Sequence, residues 1–190
     1  LRAAGERDPR RAAEANVFLG ELVLGRVPAE AERVDELYET AERSFRRAAE
    51  LFDAEQDVRA VGQQQASLGR LLLRRGRYVD ALAELRGALD RLRGDLRVRI
   101  DFAQALDRAG LSQAALGELT AVLVLVDENR ALRAEALLQR GLIEAEHGDP
   151  DAADHDLAEA VRLEPRLATP EVAAVRRRVA ERLASLASTP

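Results

Sequence analysis

The chain has 190 residues, of which 47% are hydrophobic, 33% are charged and only 3% are aromatic. This composition is typical of long helices, and the absence of cysteine and lysine excludes disulfides, thiol chemistry and a Schiff-base lysine. The net charge of −5 argues against general nucleic-acid binding. Because no apolar run approaches the ~18 residues of a membrane span and the N-terminus does not resemble a signal peptide, we expect a cytoplasmic protein without membrane contact.

The first third of the chain is predicted to hold two long helices. Asp8 suits the N-cap and Pro9 the first position of a helix over about 8–24. The preceding stretch, Leu1–Gly5, is predicted to be the tail of an earlier helix. After a break, apolar residues at helical spacing predict a second helix over about 29–53.

The middle of the chain predicts a helical hairpin. Asp57 can cap a helix that ends at Arg75, and a second helix runs from Tyr78 to Leu92. Gly76 stands between them, where its freedom to adopt positive φ suits a helix C-terminus. The rest of the chain alternates in the same way, with predicted helices over 96–109, 112–126, 132–147, 150–163 and 170–187.

Glycines that end helices recur along the sequence. Gly76, Gly110 and Gly148 are spaced in the 20–50-residue range of stacked repeats. Small residues lie at matching distances after them, and these are predicted to be buried between paired helices: Ala81, Ala88, Ala115, Ala153 and Ala160.

This pattern resembles the tetratricopeptide repeat (TPR). The best match, about 62–95, carries Leu68-Gly69, Tyr78, Ala81, Leu85 and Ala88. The other matches lie over about 96–129, over 134–167 and, through Leu19-Gly20, over 8–56 with an insertion. The resemblance implies an all-α fold of antiparallel hairpins stacked over 1–190 as one right-handed superhelix, with a C-terminal capping helix over 170–187. It also implies that the array begins in the middle of a repeat. The first helix would then lack a partner on its outer side, and Phe18 or Val17 would be partly exposed or covered by a neighbouring chain.

In this family the first helix of each hairpin lines a concave, peptide-binding face. The resemblance therefore implies a groove formed by Gln63, Ser67, Arg70 and Arg74 of one repeat and Arg97, Asp101, Gln104 and Arg108 of the next. Residues 62–110 hold 10 arginines and 6 acidic residues, a net charge of +4 in an acidic chain. Guanidinium groups bind carboxylates well, so we expect a protein or peptide partner with an acidic segment.

An alternative interpretation is that these arginines pair with local acids, such as Asp101 and Asp107, or only keep the chain soluble. The asparagine-and-lysine clamp of chaperone-binding relatives is not matched, so chaperone C-termini are not expected ligands. At the level of function, two hypotheses remain open. The chain is a non-enzymatic binding scaffold, or it is a regulatory or assembly segment of a larger bacterial signalling protein, such as a CHAT-type peptidase or a transcriptional regulator. The oligomeric state stays open.

No pattern in the sequence indicates catalysis or a cofactor. There is neither a nucleophile elbow nor a phosphate-binding glycine loop. His147 and His155 lie among several aspartates, but this stretch lacks the glycine and the terminal glutamate of a calcium loop. Acidic side chains are also stabilised by the helix dipole at the start of a helix, which accounts for these aspartates without a metal. We therefore expect no metal site.

Overall fold

The computed structural model describes residues 8–25, 34–126 and 128–187, and within these ranges every regular element is a helix. The predicted helix tail at 1–5 lies outside them, as do residues 29–33 of the predicted second helix. The α-helices are α1 Pro9–Leu24, α2 Val34–Ala54, α3 Val58–Arg74, α4 Tyr78–Arg91, α5 Leu96–Arg108, α6 Ser112–Leu125, α7 Arg130–His147, α8 Pro150–Leu163 and α9 Pro170–Ala187. A 3₁₀ turn, Pro165–Leu167, precedes α9.

Glycine at positive φ ends two of the helices that the sequence predicted. After α3, Gly76 has φ +71°, and the Arg77 N–H donates to the Leu72 carbonyl at 2.9 Å. After α5, Gly110 has φ +83°, and the Leu111 N–H donates to the Leu106 carbonyl at 2.9 Å. Both are Schellman motifs, which satisfy the last carbonyls of a helix and reverse the chain.

The glycine after α7 has a different conformation, although the sequence pattern aligned it with the other two. Gly148 has φ −132°, outside the left-handed region. A Cβ at this position would run into the Glu144 carboxylate, so that flexible side chain would have to move to admit another residue. That carboxylate accepts a hydrogen bond of 2.9 Å from the Asp149 N–H.

The chain divides into two compact units, Leu1–Asp101 and Phe102–Pro190, with the boundary inside α5. In the first unit, α1 packs on α2, α2 on α3 and α3 on α4. Phe45, Leu71, Leu72 and Leu85 are among its fully buried side chains. The described part of α2 has 21 residues, so it is longer than α4, which has 14.

In the second unit, α6 packs on α7, α7 on α8 and α8 on α9. The terminal helix α9 buries Val172 and Val179, which agrees with a capping helix. Leu186, in the last turn of α9, is 63% exposed. The Arg182 guanidinium donates to the Ala145 carbonyl of α7 at 2.8 Å, which fixes this helix at its far end.

The small residues that the repeat pattern singled out lie where paired helices meet. Each of the five alanines predicted to be buried has 0% exposure: Ala81, Ala88, Ala115, Ala153 and Ala160. On α1, Phe18 is 66% exposed, and it is one of the two residues predicted to be partly exposed. Val17 instead packs against the cluster of Ala13, Ala48 and Phe52.

Candidate functional site

Half of the predicted groove residues surround one open hollow in the first unit. Gln63, Ser67 and Arg70 contribute from α3, and Arg97 from α5. The hollow has a volume of about 330 Å³, and we call it the central hollow. Its remaining lining comes from α1, α3, α5 and the turn before α5: Val17, Glu21, Gln64, Ala66, Leu92, Asp95 and Val98.

The helical period of α3 explains why these side chains share a face. Gln63, Ser67, Arg70 and Arg74 recur at three- and four-residue intervals, so they follow one stripe along the helix. The opposite stripe of α3 is apolar and buried, as shown by Leu68 and Leu72. The core contacts of α3 therefore turn its polar stripe towards the hollow.

Arg70 pairs with Asp101, another of the residues predicted to line the groove. Its Nη1 lies 3.0 Å from Oδ2 of Asp101, and its Nη2 donates to the Ser67 hydroxyl at 3.2 Å. Asp101 is only 7% exposed, so its carboxylate is a buried counter-ion and not a surface ligand. Part of the expected positive charge of the groove is therefore compensated inside the protein.

Arg74 lies next to the central hollow, in a second hollow of about 300 Å³ that it shares with Glu21, Phe45, Ser67 and Arg70. Its side chain is exposed, and it makes no ion pair with any residue that the structure describes. This arginine, more than Arg70, offers a charge to a ligand. Of the two other predicted residues, Gln104 is half-buried and Arg108 exposed, and both belong to the second unit.

A buried amide beside the central hollow was not predicted. Gln64 is 4% exposed, and its Oε1 has no hydrogen-bond partner among the residues described. A buried polar atom without a partner is rare in folded proteins. The run of three identical glutamines does not show which amides are covered. The packing of α3 buries Gln64 and the Oε1 atom of Gln65 and leaves Gln63 exposed.

A network of arginines around Glu42 was also missed. The Glu42 side chain is 10% exposed, and its carboxylate pairs with Arg46 at 2.8 Å, Arg75 at 2.9 Å and Arg77 at 3.2 Å. Arg75 also lies over the ring of Tyr38, 5.8 Å from its centre. These contacts join α2 to the turn between α3 and α4, so both arginines beside Gly76 have partners within the protein.

Three aspartates near the two histidines have structural partners in the second unit. Asp149 caps α8 by accepting from the Asp151 N–H at 2.8 Å. Asp154 pairs with Arg176 at 3.0 Å. The Asp156 carboxylate accepts two hydrogen bonds from the Arg140 guanidinium, at 2.6 and 2.9 Å. The Asp156 contact raises the pKa of Arg140 further above its ordinary value, against the opposing effect of burial. Within the described ranges, no three histidine or acidic side chains are placed to hold a metal ion.

The solved structures similar to this chain are TPR proteins. TTC0263, a thermophilic TPR protein of Thermus thermophilus, is 22% identical with a TM-score of 0.65, over 90% of this chain and 82% of that one. MamA is 16% identical with a TM-score of 0.60, over 90% and 87%. YrrB, described as a TPR protein with an unusual peptide-binding site, is 17% identical with a TM-score of 0.53, over 93% and 97%.

These likenesses define the class of the chain: it is an all-α repeat protein. More narrowly, it has the tetratricopeptide repeat fold, as the sequence pattern predicted. No protein-family model matches the sequence, and no curated protein matches it. None of the described helices is both long enough and apolar enough to cross a membrane.

Proposed function

We propose that the chain is a non-enzymatic scaffold that binds a protein or peptide segment in the central hollow. The observation that carries this proposal is the convergence of Gln63, Ser67, Arg70 and Arg97 on one open hollow of the first unit. TPR proteins are in general protein-interaction scaffolds, and one similar structure, YrrB, has a peptide-binding site. The proposal extends this property of the fold to the present chain.

The lining of the central hollow suits an extended segment better than a small ion. It presents amides and a hydroxyl from α3, carboxylates of Glu21 and Asp95, and apolar surface from Val17 and Leu92. A primary amide has two donors and an acceptor, which match the carbonyl and N–H of a peptide bond. Gln64, whose buried amide oxygen lacks a partner among the described residues, lies beside the polar groups that such a backbone would meet.

The partner segment is proposed to carry acidic residues that contact Arg74. This arginine is exposed and makes no ion pair within the described part of the chain, whereas Arg70 already has Asp101. Exposed charges steer and orient a partner, and their contribution falls as salt rises. We therefore expect binding to weaken in high salt without being abolished.

A selection from a display library of random short peptides tests the proposal. Wild-type protein is expected to enrich peptides with a common motif. Changing Gln63→Trp fills the central hollow without adding charge, and should weaken binding of the enriched peptides by about tenfold or more. Gln63 is exposed, so the substitution adds bulk outside the core.

The matched control is Gln113→Trp, which adds the same side chain at an exposed position on α6 of the second unit. It should leave the affinity for the enriched peptides unchanged. Equal binding by both tryptophan variants would place the interaction elsewhere, and a library that yields no common motif would contradict a peptide-binding function. No observation on the described residues favours the second hypothesis, a segment of a larger signalling protein.

A further inference from the structure

A different group of arginines surrounds another hollow of the first unit, at the end of α4. Arg59, Arg91 and Arg93 line it together with Leu92, Gly94 and Asp95, and its volume is about 430 Å³. We call it the arginine hollow. All three arginines are exposed, and within the part of the chain that the structure describes none of them makes an ion pair.

The packing of α3 on α4 brings these arginines to one place. A Cβ on Gly62 would lie 2.9 Å from both the Arg91 Cβ and the Leu92 Cγ, so only glycine lets the first turn of α3 approach the last turn of α4 this closely. Arg59 lies three residues before Gly62 and so on the same side of α3. The Arg91 guanidinium donates to the Gly87 carbonyl at 3.2 Å, which holds its side chain along α4.

The turn after α4 leaves the hollow open. Gly94 has φ +85°, and nothing lies within 4 Å of the place where its Cβ would be. The one carboxylate that lines the hollow belongs to Asp95. Its Oδ1 already accepts from the backbone N–H groups of Arg97 at 3.0 Å and Val98 at 3.2 Å, which caps α5. Three arginines therefore line a space whose single carboxylate already accepts the hydrogen bonds of a helix cap.

Arg59 also lies in the first turn of α3, where the helix dipole disfavours a positive charge. An anion bound beside it would be stabilised by the same dipole and by the three guanidinium groups. A single carboxylate needs only one guanidinium for its two oxygens. A phosphate group carries nearly two negative charges and three acceptor oxygens, so it can use all three arginines.

From this arrangement we propose that the arginine hollow is a binding site for a phosphate group. The ligand is a phosphate monoester, either on a phosphorylated side chain of a protein partner or on a small metabolite. The site shares Leu92 and Asp95 with the central hollow but uses none of the groove residues that the sequence predicted. It gives a role to Arg91 and Arg93, two arginines within residues 62–110 that the predicted groove does not use.

Titration of the ¹⁵N-labelled chain with inorganic phosphate at constant ionic strength tests the site without any identified partner. We expect saturable shifts at the Gly94 amide and the Arg91 and Arg93 side-chain N–H signals. Changing Arg91→Gln and Arg93→Gln together should weaken phosphate binding about tenfold or more. The double variant Arg177→Gln with Arg178→Gln removes the same charge from exposed positions on α9, and should bind like the wild type.

A phosphoserine peptide and adenosine monophosphate, tested in parallel, distinguish the two sources of the phosphate. Tighter binding of either one than of inorganic phosphate supports the site and identifies the source. Shifts that rise linearly without saturation, or an equal loss of binding in both double variants, would overturn the proposal. So would saturable binding of an unphosphorylated glutamate-rich peptide with no response to phosphate. None of these results depends on whether peptides bind the central hollow.

Discussion

Gly69 of α3 lies directly against Leu85 of α4, so closely that a Cβ on the glycine would overlap the leucine side chain. Two other hairpins repeat this relationship. A Cβ on Gly20 would lie 2.7 Å from the Phe45 ring, and one on Gly141 would lie 2.9 Å from the Leu157 Cγ. Glycine is thus required at these positions of the repeat pattern for a steric reason. A large side chain of the second helix occupies the space that a Cβ would take.

Replacing Gly69→Ala should destabilise the protein by about 1–3 kcal/mol, because the added methyl group forces Leu85 out of its place in the core. Leu85 is fully buried, so it has no free space to move into. Urea unfolding followed by circular dichroism measures the change. Unchanged stability would mean that the backbones of α3 and α4 can move apart at little cost.

Gly117→Ala is the matched control for the same substitution. Gly117 is an exposed position inside α6, and nothing lies within 4 Å of the place of its Cβ. Without a steric penalty, only the helix propensity remains, and alanine is favoured over glycine by about 1 kcal/mol. This variant should be more stable than the wild type, so the two substitutions are expected to have opposite signs.

The turn between α2 and α3 has the same hydrogen bonds as the glycine turns but no glycine. The Asp57 N–H donates to the Phe52 carbonyl at 2.9 Å. Gln56, which precedes Asp57, adopts the left-handed conformation that glycine has in the other turns, with φ +58°. A side chain costs about 1–2 kcal/mol in this conformation. Gln56→Gly should therefore stabilise the protein by about 0.5–1 kcal/mol after the larger entropy of the unfolded chain is counted.

The reverse substitution, Gly110→Ala, tests the same physical effect in the other direction. Gly110 has φ +83° and nothing within 4 Å of the place of its Cβ, so any cost comes from the backbone alone. We expect a loss of about 1 kcal/mol in the free energy of unfolding. A decrease in stability for Gln56→Gly would show that the glutamine side chain makes a compensating contact.

The pair of Arg140 and Asp156 should be the most sensitive charged contact of the second unit. Asp156 is 2% exposed and accepts two hydrogen bonds from the Arg140 guanidinium. The Arg140 side chain is 26% exposed. Asp156→Asn removes the charge that compensates Arg140. Removing one partner of a fully buried ion pair lowers the free energy of unfolding by about 3–5 kcal/mol. Because Arg140 is partly exposed, we expect a loss of about 2 kcal/mol here.

Asp90→Asn is the control for this substitution, because Asp90 is an exposed aspartate on α4. Its replacement should change the free energy of unfolding by no more than about 0.5 kcal/mol. Thermal unfolding of both variants at neutral pH gives the comparison. If Asp156→Asn were as mild as Asp90→Asn, the bidentate pair would contribute no net stability.

The helices could be predicted from the sequence because their signals are local. The hairpin predicted over 57–75 and 78–92 is observed as Val58–Arg74 and Tyr78–Arg91. Apolar spacing, capping residues and glycine turns act within a few residues of one another, so a single chain displays them. The burial of the repeat alanines follows from the same period.

The charged contacts could not be predicted because they join distant residues across helices. Glu42 meets Arg75 and Arg77, and Arg70 meets Asp101, only because packed helices bring them together. The sequence shows both arginines and acids but not which face of each helix is covered. For this reason the sequence predicts that Arg70 shares a helix face with Gln63 and Ser67, whereas the pairing of Arg70 with Asp101 is one of two interpretations that the sequence leaves open.

Glu84 of α4 is the residue before Leu85, just as Asp156 is the residue before Leu157, but its environment differs. At the position of Arg140 in the earlier hairpin stands Leu68, which is buried and uncharged. Burial raises the pKa of Glu84 above its ordinary value of 4.5, against the opposing effects of Arg46 and of a hydrogen bond from Gln65. The ionised carboxylate is therefore less favourable in the folded state than in the unfolded chain.

Glu84→Gln should consequently stabilise the protein at neutral pH. A carboxyl group with a raised folded pKa binds its proton more tightly in the folded state, so its ionisation lowers stability as pH rises above about 4.5. The glutamine has no such dependence, and its amide also offers a donor near the buried Gln65 Oε1, which lacks a partner among the described residues.

Urea unfolding at pH 7 should show the variant as more stable, and the difference should shrink towards about pH 4, where the wild-type carboxyl becomes protonated. Glu39→Gln, at an exposed position of α2, should show no comparable gain. A Glu84→Gln variant that is less stable than the wild type at pH 7 would mean that the attraction of Arg46 outweighs the cost of burial.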